Sequence, residues 1–136
     1  MPHLAVYGTL RDPDIIRTVL GRDPSPWARG TTQLPHWSSY YVEGAVYPGL
    51  KREPTAQLQL QLYQNIPMDC WEKLLTYEGA EYKQVGIKFR GVTYTLFVPS
   101  QRTPLSPSKW SLESFQAEHK TGFMMGLSGE TLVRGA

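Results

Sequence analysis

Two places in this 136-residue chain bring together residue types that could do chemistry. The first is Tyr7-Gly8-Thr9-Leu10-Arg11, which lies between a short apolar run and a well-punctuated helix start. A strand that ends in such a loop exposes backbone N–H groups. A glycine lets a ligand approach the main chain, and unpaired amides beside a helix N-terminus favour a carboxylate or another anion. A tight strand-to-helix turn in which Gly8 only supplies an uncommon dihedral angle reads the same residues equally well.

The second place is Glu78. In a helix that reaches it from Met68, an advance of about 100° per residue puts Trp71, Leu75 and Glu78 within about 80° of one another, with Met68 and Leu74 flanking. A carboxylate then lies in an apolar stripe. Removal from water raises a carboxyl pKa, and the negative end of the helix dipole acts in the same sense, so such a group can exchange protons near neutral pH. The alternative is a Glu78 that has left helical geometry, or that pairs with Arg11 or Lys83 as a structural ion pair.

Other residues carry weaker signals. Cys70 falls off the predicted stripe and has no neighbour that would make it a thiolate. His119 falls in a stripe with Leu112, Phe115 and Phe123, which suits a hydrogen-bonded core histidine. His3 and His36 are too far apart in sequence to read as a metal pair, and Tyr47-Pro48-Gly49 reads first as a connection between strands.

The elements that must position these residues can be read from period and punctuation. Leu4 to Tyr7 is a buried strand. Asp12 as N-cap, Pro13 at the first helical position and Gly21 as C-cap bound a helix carrying Ile15, Ile16, Val19 and Leu20. Residues 22–35 are rich in Pro, Gly and polar types and read mainly as loop, with a short strand near Trp27. Strands are expected at Trp37 to Val42, after a turn near Gly44 at Val46 to Leu50, and at Ala56 to Tyr63, where Leu58, Leu60 and Leu62 alternate with glutamines. A helix from Pro67 to Tyr77 stops at Gly79. Tyr82 to Phe89 and Val92 to Val98 flank Arg90-Gly91 as a hairpin. Pro99 to Ser108 reads as loop, Ser111 caps a final helix, and Ser128 to Ala136 is a loose tail. Five or six strands and three helices without regular alternation argue for an α+β fold, a small mixed β-barrel or strongly curled sheet with packed helices, in one domain spanning 1–136.

Composition narrows the function classes. Apolar residues make up 40% and aromatics 12%, enough for a packed core. The net charge is +2 and the fourteen Lys and Arg are scattered, which is a poor match to nucleic acid. One Cys allows no intrachain disulfide and no Cys/His zinc spacing. Neither a signal-peptide pattern nor a stretch of roughly 20 apolar residues is present, so the expected location is cytoplasmic with no membrane partner. No heptad seam or interface signal indicates an oligomeric state.

Taken in order, Val6-Tyr7-Gly8-Thr9-Leu10-Arg11, Gly44-x-x-Tyr47-Pro48-Gly49-Leu50 and Tyr77-Glu78-Gly79-x-x-Tyr82 resemble the gamma-glutamylcyclotransferase-like family. The resemblance runs from Leu4 to Val98, and Trp110-x-x-Glu113-x-Phe115 with His119 looks like the C-terminal helix of some bacterial members. It implies a barrel-like mixed fold with a cavity and a cofactor-free reaction. Tyr7, Gly8, Thr9 and Leu10 would hold the amino-acid end of a gamma-glutamyl substrate, Tyr82 would join them in binding it, and Glu78 would transfer the protons. The reaction implied closes 5-oxoproline by attack of the alpha-amine on the gamma-carbonyl and releases an amine. Many relatives carry an arginine where this chain has Gln84, so a contact built on that arginine does not carry over. A non-catalytic module binding a small amino-acid-like ligand in the same cavity is the competing expectation.

Overall fold

The computed structural model describes residues 1–100 and 102–128. In chain order they form β1 (Leu4–Val6), a 3-10 turn (Thr9–Arg11), α1 (Pro13–Leu20), a second 3-10 turn (Ser25–Trp27), β2 (Ala28–Val42), β3 (Pro48–Tyr63) and α2 (Met68–Glu78). The hairpin β4 (Tyr82–Phe89) and β5 (Val92–Pro99) follows, then β6 (Leu105–Lys109), α3 (Leu112–Glu118) and α4 (Lys120–Ser128). Apart from Ser128, which ends α4, the expected tail lies outside the described residues.

The strands make one mixed sheet of order β4-β5-β1-β3-β2-β6. β1 is apolar on both faces because it is central: it runs antiparallel to β3 and parallel to β5, and Leu4, Ala5 and Val6 are all buried. Residues from both ends of the strand order, Val85 of β4 and Leu105 of β6, line one hollow together with Leu34, Leu50 and Leu96. A flat sheet could not bring its two edges to one space, so the sheet is strongly curled, an α+β half-barrel as the pattern predicts.

The strands expected at Val46 to Leu50 and Ala56 to Tyr63 are one continuous β3, and the sequence reading needs correction at four further places. Residues 28–35 are strand rather than loop: β2 pairs with β3 from Ala28 to Tyr41, and the backbone irregularities expected of Gly30 and Pro35 are absorbed by register shifts between Ala28 and Thr31 and between Pro35 and Trp37. Composition flagged a break where pairing tolerated a bulge. Leu105–Lys109 is also strand, pairing with β2 through Tyr40 and Val42. Its Pro107 is tolerated because β6 is an edge, where one N–H need not serve the ladder. The final helix is two helices meeting at His119, whose carbonyl accepts the Phe123 N–H at 3.0 Å. The apolar stripe survives the break, since Phe115 is buried against both Trp110 and Phe123.

The fourth correction concerns α2. Its buried face is Cys70, Trp71, Leu74, Tyr77 and Glu78, while Met68 is 55% and Leu75 37% exposed. The helix is rotated from the predicted stripe, so Cys70 is a core residue rather than a peripheral one. Hydropathy ranked Met68 and Leu75 above Cys70 and Tyr77. Packing of Trp71 on Phe97 of β5, with ring centroids 5.8 Å apart, decided otherwise. Glu78 lies within both arcs.

Candidate functional site

α2 ends in a way that fixes where Glu78 points. Gly79 has φ +77° and ψ 177°, a conformation that essentially only glycine adopts, and its N–H still bonds the Leu75 carbonyl at 3.1 Å. Glu78 therefore keeps its helical position as the last residue of α2. The chain then reverses, and Tyr82 returns as the first residue of β4. The Glu-Gly-x-x-Tyr spacing is the length of this reversal.

Burial at this turn is nearly complete. Glu78 is 1% exposed, Tyr7 1% and Tyr82 8%. Both Glu78 carboxyl oxygens, the Tyr7 hydroxyl and the Tyr82 hydroxyl have no hydrogen-bond partner among the described residues. Leaving such a group unsatisfied costs about 1–3 kcal/mol, and a native fold retains few of them. Four such atoms, two on Glu78 and one each on Tyr7 and Tyr82, are therefore an uncommon concentration.

Electrostatics tie the four groups together. Burial holds the Glu78 carboxyl well above the usual carboxylate range. Burial also raises the Tyr7 and Tyr82 hydroxyls, and the nearby Glu78 charge raises both further. Tyr77 shows the same two influences, opposed by its bond to Thr9. The cluster is thus one carboxyl ringed by phenols that remain protonated and able to donate.

The first loop is joined to this turn directly. Thr9 Oγ1 and the Tyr77 hydroxyl are 2.7 Å apart in a buried hydrogen bond spanning the strand-to-helix loop and the last turn of α2. The loop itself is a 3-10 turn: the Arg11 and Asp12 amides bond the Gly8 and Thr9 carbonyls, each at 3.0 Å. Leu10 is fully buried in the core, which leaves its main chain rather than its side chain for any ligand. Gly8 has φ −116°, so its place in the motif is not explained by left-handed backbone.

The middle motif arrives as well, which residue types alone did not indicate. The Tyr47 ring packs at 6.5 Å from Tyr82, and Trp110 Nε1 holds the preceding Val46 carbonyl at 3.0 Å. A β-carbon on Gly49 would lie 2.7 Å from Leu105 and 2.9 Å from Pro99, and Pro99 is the β5 partner of Tyr82. The glycine permits this close approach. Tyr47 and Tyr77 were missed as site residues because tyrosine is common in cores. Their signal was position, directly before the Pro-Gly and Glu-Gly pairs.

The weaker candidates stand apart from the cluster. His3 accepts the Asn65 N–H at 3.1 Å, His36 contacts the Pro54 carbonyl at 2.8 Å, and His119 stacks edge-on against Tyr41. Arg11 and Lys83 form no ion pair with Glu78 among the described residues. Gln84 is exposed on β4. The described residues contain no group of three His, Cys, Asp or Glu side chains that could hold a metal ion.

The family model described as "Gamma-glutamyl cyclotransferase, AIG2-like" matches residues 4–112. The chain belongs to this family. AIG2-like protein A of Arabidopsis thaliana is 25% identical over 128 residues, covering 88% of this chain and 74% of its own length. Two solved structures share the fold. An uncharacterised protein from Pyrococcus horikoshii has a TM-score of 0.60 at 16% identity, covering 89% of this chain and 98% of that one. An Arabidopsis thaliana protein solved in solution has a TM-score of 0.59 at 23% identity, covering 92% and 88%. All three motifs of this gamma-glutamyl cyclotransferase-like chain lie inside the matched range, whereas α3 beyond its first residue and α4 lie outside it. No helix among the described residues is long and apolar enough to cross a membrane.

Proposed function

We propose that the protein converts a gamma-glutamyl amine or peptide into 5-oxoproline and a free amine, with Glu78 as the acid/base. The observation that carries this reading is the buried, unpartnered Glu78 carboxyl beside the unpartnered hydroxyls of Tyr7 and Tyr82. A substrate with an ammonium, a carboxylate and an amide within a few bonds offers a partner for each.

The charge logic supports the same assignment. Burial favours the neutral acid when the site stands alone. A substrate ammonium beside Glu78 favours the carboxylate, so binding itself brings the base to its working state. Glu78 then takes a proton from the ammonium. The freed amine attacks the gamma-carbonyl carbon, the new C–N bond closes a five-membered lactam, and the old amide C–N bond breaks as Glu78 returns a proton to the departing nitrogen. The ring nitrogen gives up a second proton, which the leaving amine regains in water, so charge and protons balance.

Because the nucleophile belongs to the substrate, holding it in attack geometry supplies much of the rate. Main-chain groups of Gly8 to Leu10 and the Tyr7 and Tyr82 hydroxyls are the donors available to the substrate carboxylate and the developing oxyanion. The test is release of 5-oxoproline from a panel of gamma-glutamyl amines and dipeptides. Turnover that Glu78→Gln abolishes is the expected result. Thermal stabilisation by the same compounds with no product would make the protein a binding module instead.

A further inference from the structure

The hollow inside the curled sheet has a volume of about 460 Å³, within the usual range for small-molecule sites. Its walls are apolar: Leu34, Trp37, Leu50, Val85, Leu96 and Val98. Val85 is 36% exposed, an apolar side chain left partly open among the described residues. Alternation along β4 explains the geometry. Tyr82 faces the Glu78 cluster, while Lys83 and Val85 point to the opposite face and into the hollow.

The hollow adjoins a cavity on the cluster's side of β4. Lys83 and Ser100 also line a second, smaller cavity of about 340 Å³, whose other walls are Ala80, Glu81, Tyr82 and Arg102. That cavity abuts the reversal after Gly79 and has Tyr82 among its walls, so it stands between the end of α2 and the apolar space, with Lys83 and Ser100 as the walls the two cavities share. Neither Lys83 nor Arg102 has an ion-pair partner among the described residues. Two cations against one carboxylate, Glu81, leave the lining of this smaller cavity net positive.

The geometry points to these two adjoining cavities as the subsite for the departing amine, selecting a gamma-glutamyl amino acid with a large apolar side chain. The carboxylate of that leaving group lies at Lys83 and Arg102, and its apolar side chain fills the space between Trp37, Leu50, Val85 and Leu96. The inference rests on the cyclotransferase reading for its substrate but on different residues for its content. An apolar hollow beside a cavity with cationic walls fits an amphipathic acid. A small or polyamine leaving group would leave the walls bare or repel Lys83.

Gamma-glutamyl-phenylalanine, gamma-glutamyl-glycine and gamma-glutamyl-phenethylamine separate the parts. With the wild-type protein, kcat/KM for the phenylalanine compound should exceed that for the glycine compound by about 10- to 200-fold, the usual gain from filling an apolar pocket. It should exceed that for the carboxylate-free amine by about 5-fold or more, and Lys83→Met should bring this second ratio close to one. Val85→Asp, at an exposed edge-strand position, should collapse the first ratio. Binding of the same three compounds, followed by tryptophan fluorescence because Trp37 lines the hollow, should keep the same order in Glu78→Gln. If no compound is turned over but that order persists, the cyclotransferase reading fails and the subsite stands. If glycine and phenylalanine compounds are bound and turned over alike, or if binding ignores Lys83 and Val85, the subsite is overturned.

Discussion

Glu78→Gln changes one oxygen for one nitrogen and leaves shape almost untouched, so its effects report on ionisation. In the folded chain burial raises the Glu78 carboxyl well above its ordinary range; in the unfolded chain it titrates near 4.3. Between those two values the folded state binds a proton that the unfolded state has lost. Wild-type stability therefore falls as pH rises, by about 1.4 kcal/mol per pH unit, until the folded group also ionises. The glutamine variant has no such slope. At pH 4 the two proteins should be nearly equally stable. At pH 7 the variant should be more stable by up to about 3.7 kcal/mol, a ceiling set by the distance from pH 4.3 to pH 7, since a buried acid can always escape further cost by staying protonated. Urea denaturation at half-unit steps from pH 4 to pH 8 measures the divergence. The same substitution should lower turnover of any gamma-glutamyl substrate by about 10²- to 10⁴-fold. Stability curves that run parallel across this range would refute the buried, unpartnered Glu78 on which the proposed chemistry depends.

Four further outcomes follow from the same geometry. Tyr77→Phe leaves the buried Thr9 hydroxyl without its 2.7 Å partner and should cost about 1–3 kcal/mol, read by chemical denaturation, with a fall in turnover because the first loop is released from α2. Tyr7→Phe removes a buried hydroxyl that has no partner, so it should leave stability unchanged or slightly raised while lowering kcat/KM. Gly79→Ala forces a side chain into φ +77° and ψ 177° and should cost about 1–3 kcal/mol, while disturbing the return of Tyr82 to Glu78 in any activity assay. Asp12 behaves oppositely to Glu78. Burial alone would raise its pKa, but hydrogen bonds from Gln116, Lys120 and the Ile15 amide outweigh burial and lower it. Its contribution is full above the unfolded value near 3.9 and is lost as pH falls through the lower folded value. Lys120→Met should therefore flatten the acid limb of the stability curve as well as destabilise the protein, because Asp12 is fully buried and Lys120 Nζ lies 2.9 Å from it.

Much was legible from sequence where one residue's local chemistry decides its conformation. Asp12, Pro13 and Gly21 bound α1 as written: Asp12 accepts the Asp14 and Ile15 amides, and Gly21 is left-handed. The Arg90-Gly91 turn has positive φ at both residues, as a tight hairpin requires, and the Leu/Gln alternation is a strand whose Leu58, Leu60 and Leu62 are buried. The burial of Glu78 was visible because a helix repeats on itself. Reading failed where the deciding interaction was remote. No local signal makes 28–35 a strand; pairing with β3 does. No local signal turns α2 toward Cys70 and Tyr77; the Trp71–Phe97 contact and the Thr9 bond do.

The sequence by itself determined the helix ends, the tight turns, the single carboxylate worth suspecting and the three short motifs that place the chain among gamma-glutamyl cyclotransferase-like proteins. These are properties of backbone dihedrals and of spacing along one strand or helix, and they need no partner elsewhere in the chain. Tertiary structure alone decided that Tyr7 and Tyr82 meet at Glu78, that Tyr47 packs on Tyr82, and that Lys83 turns away into an apolar hollow. Convergence of residues 75 positions apart depends on how a sheet curls, and curl is set by the sum of many strand pairings rather than by any residue within them.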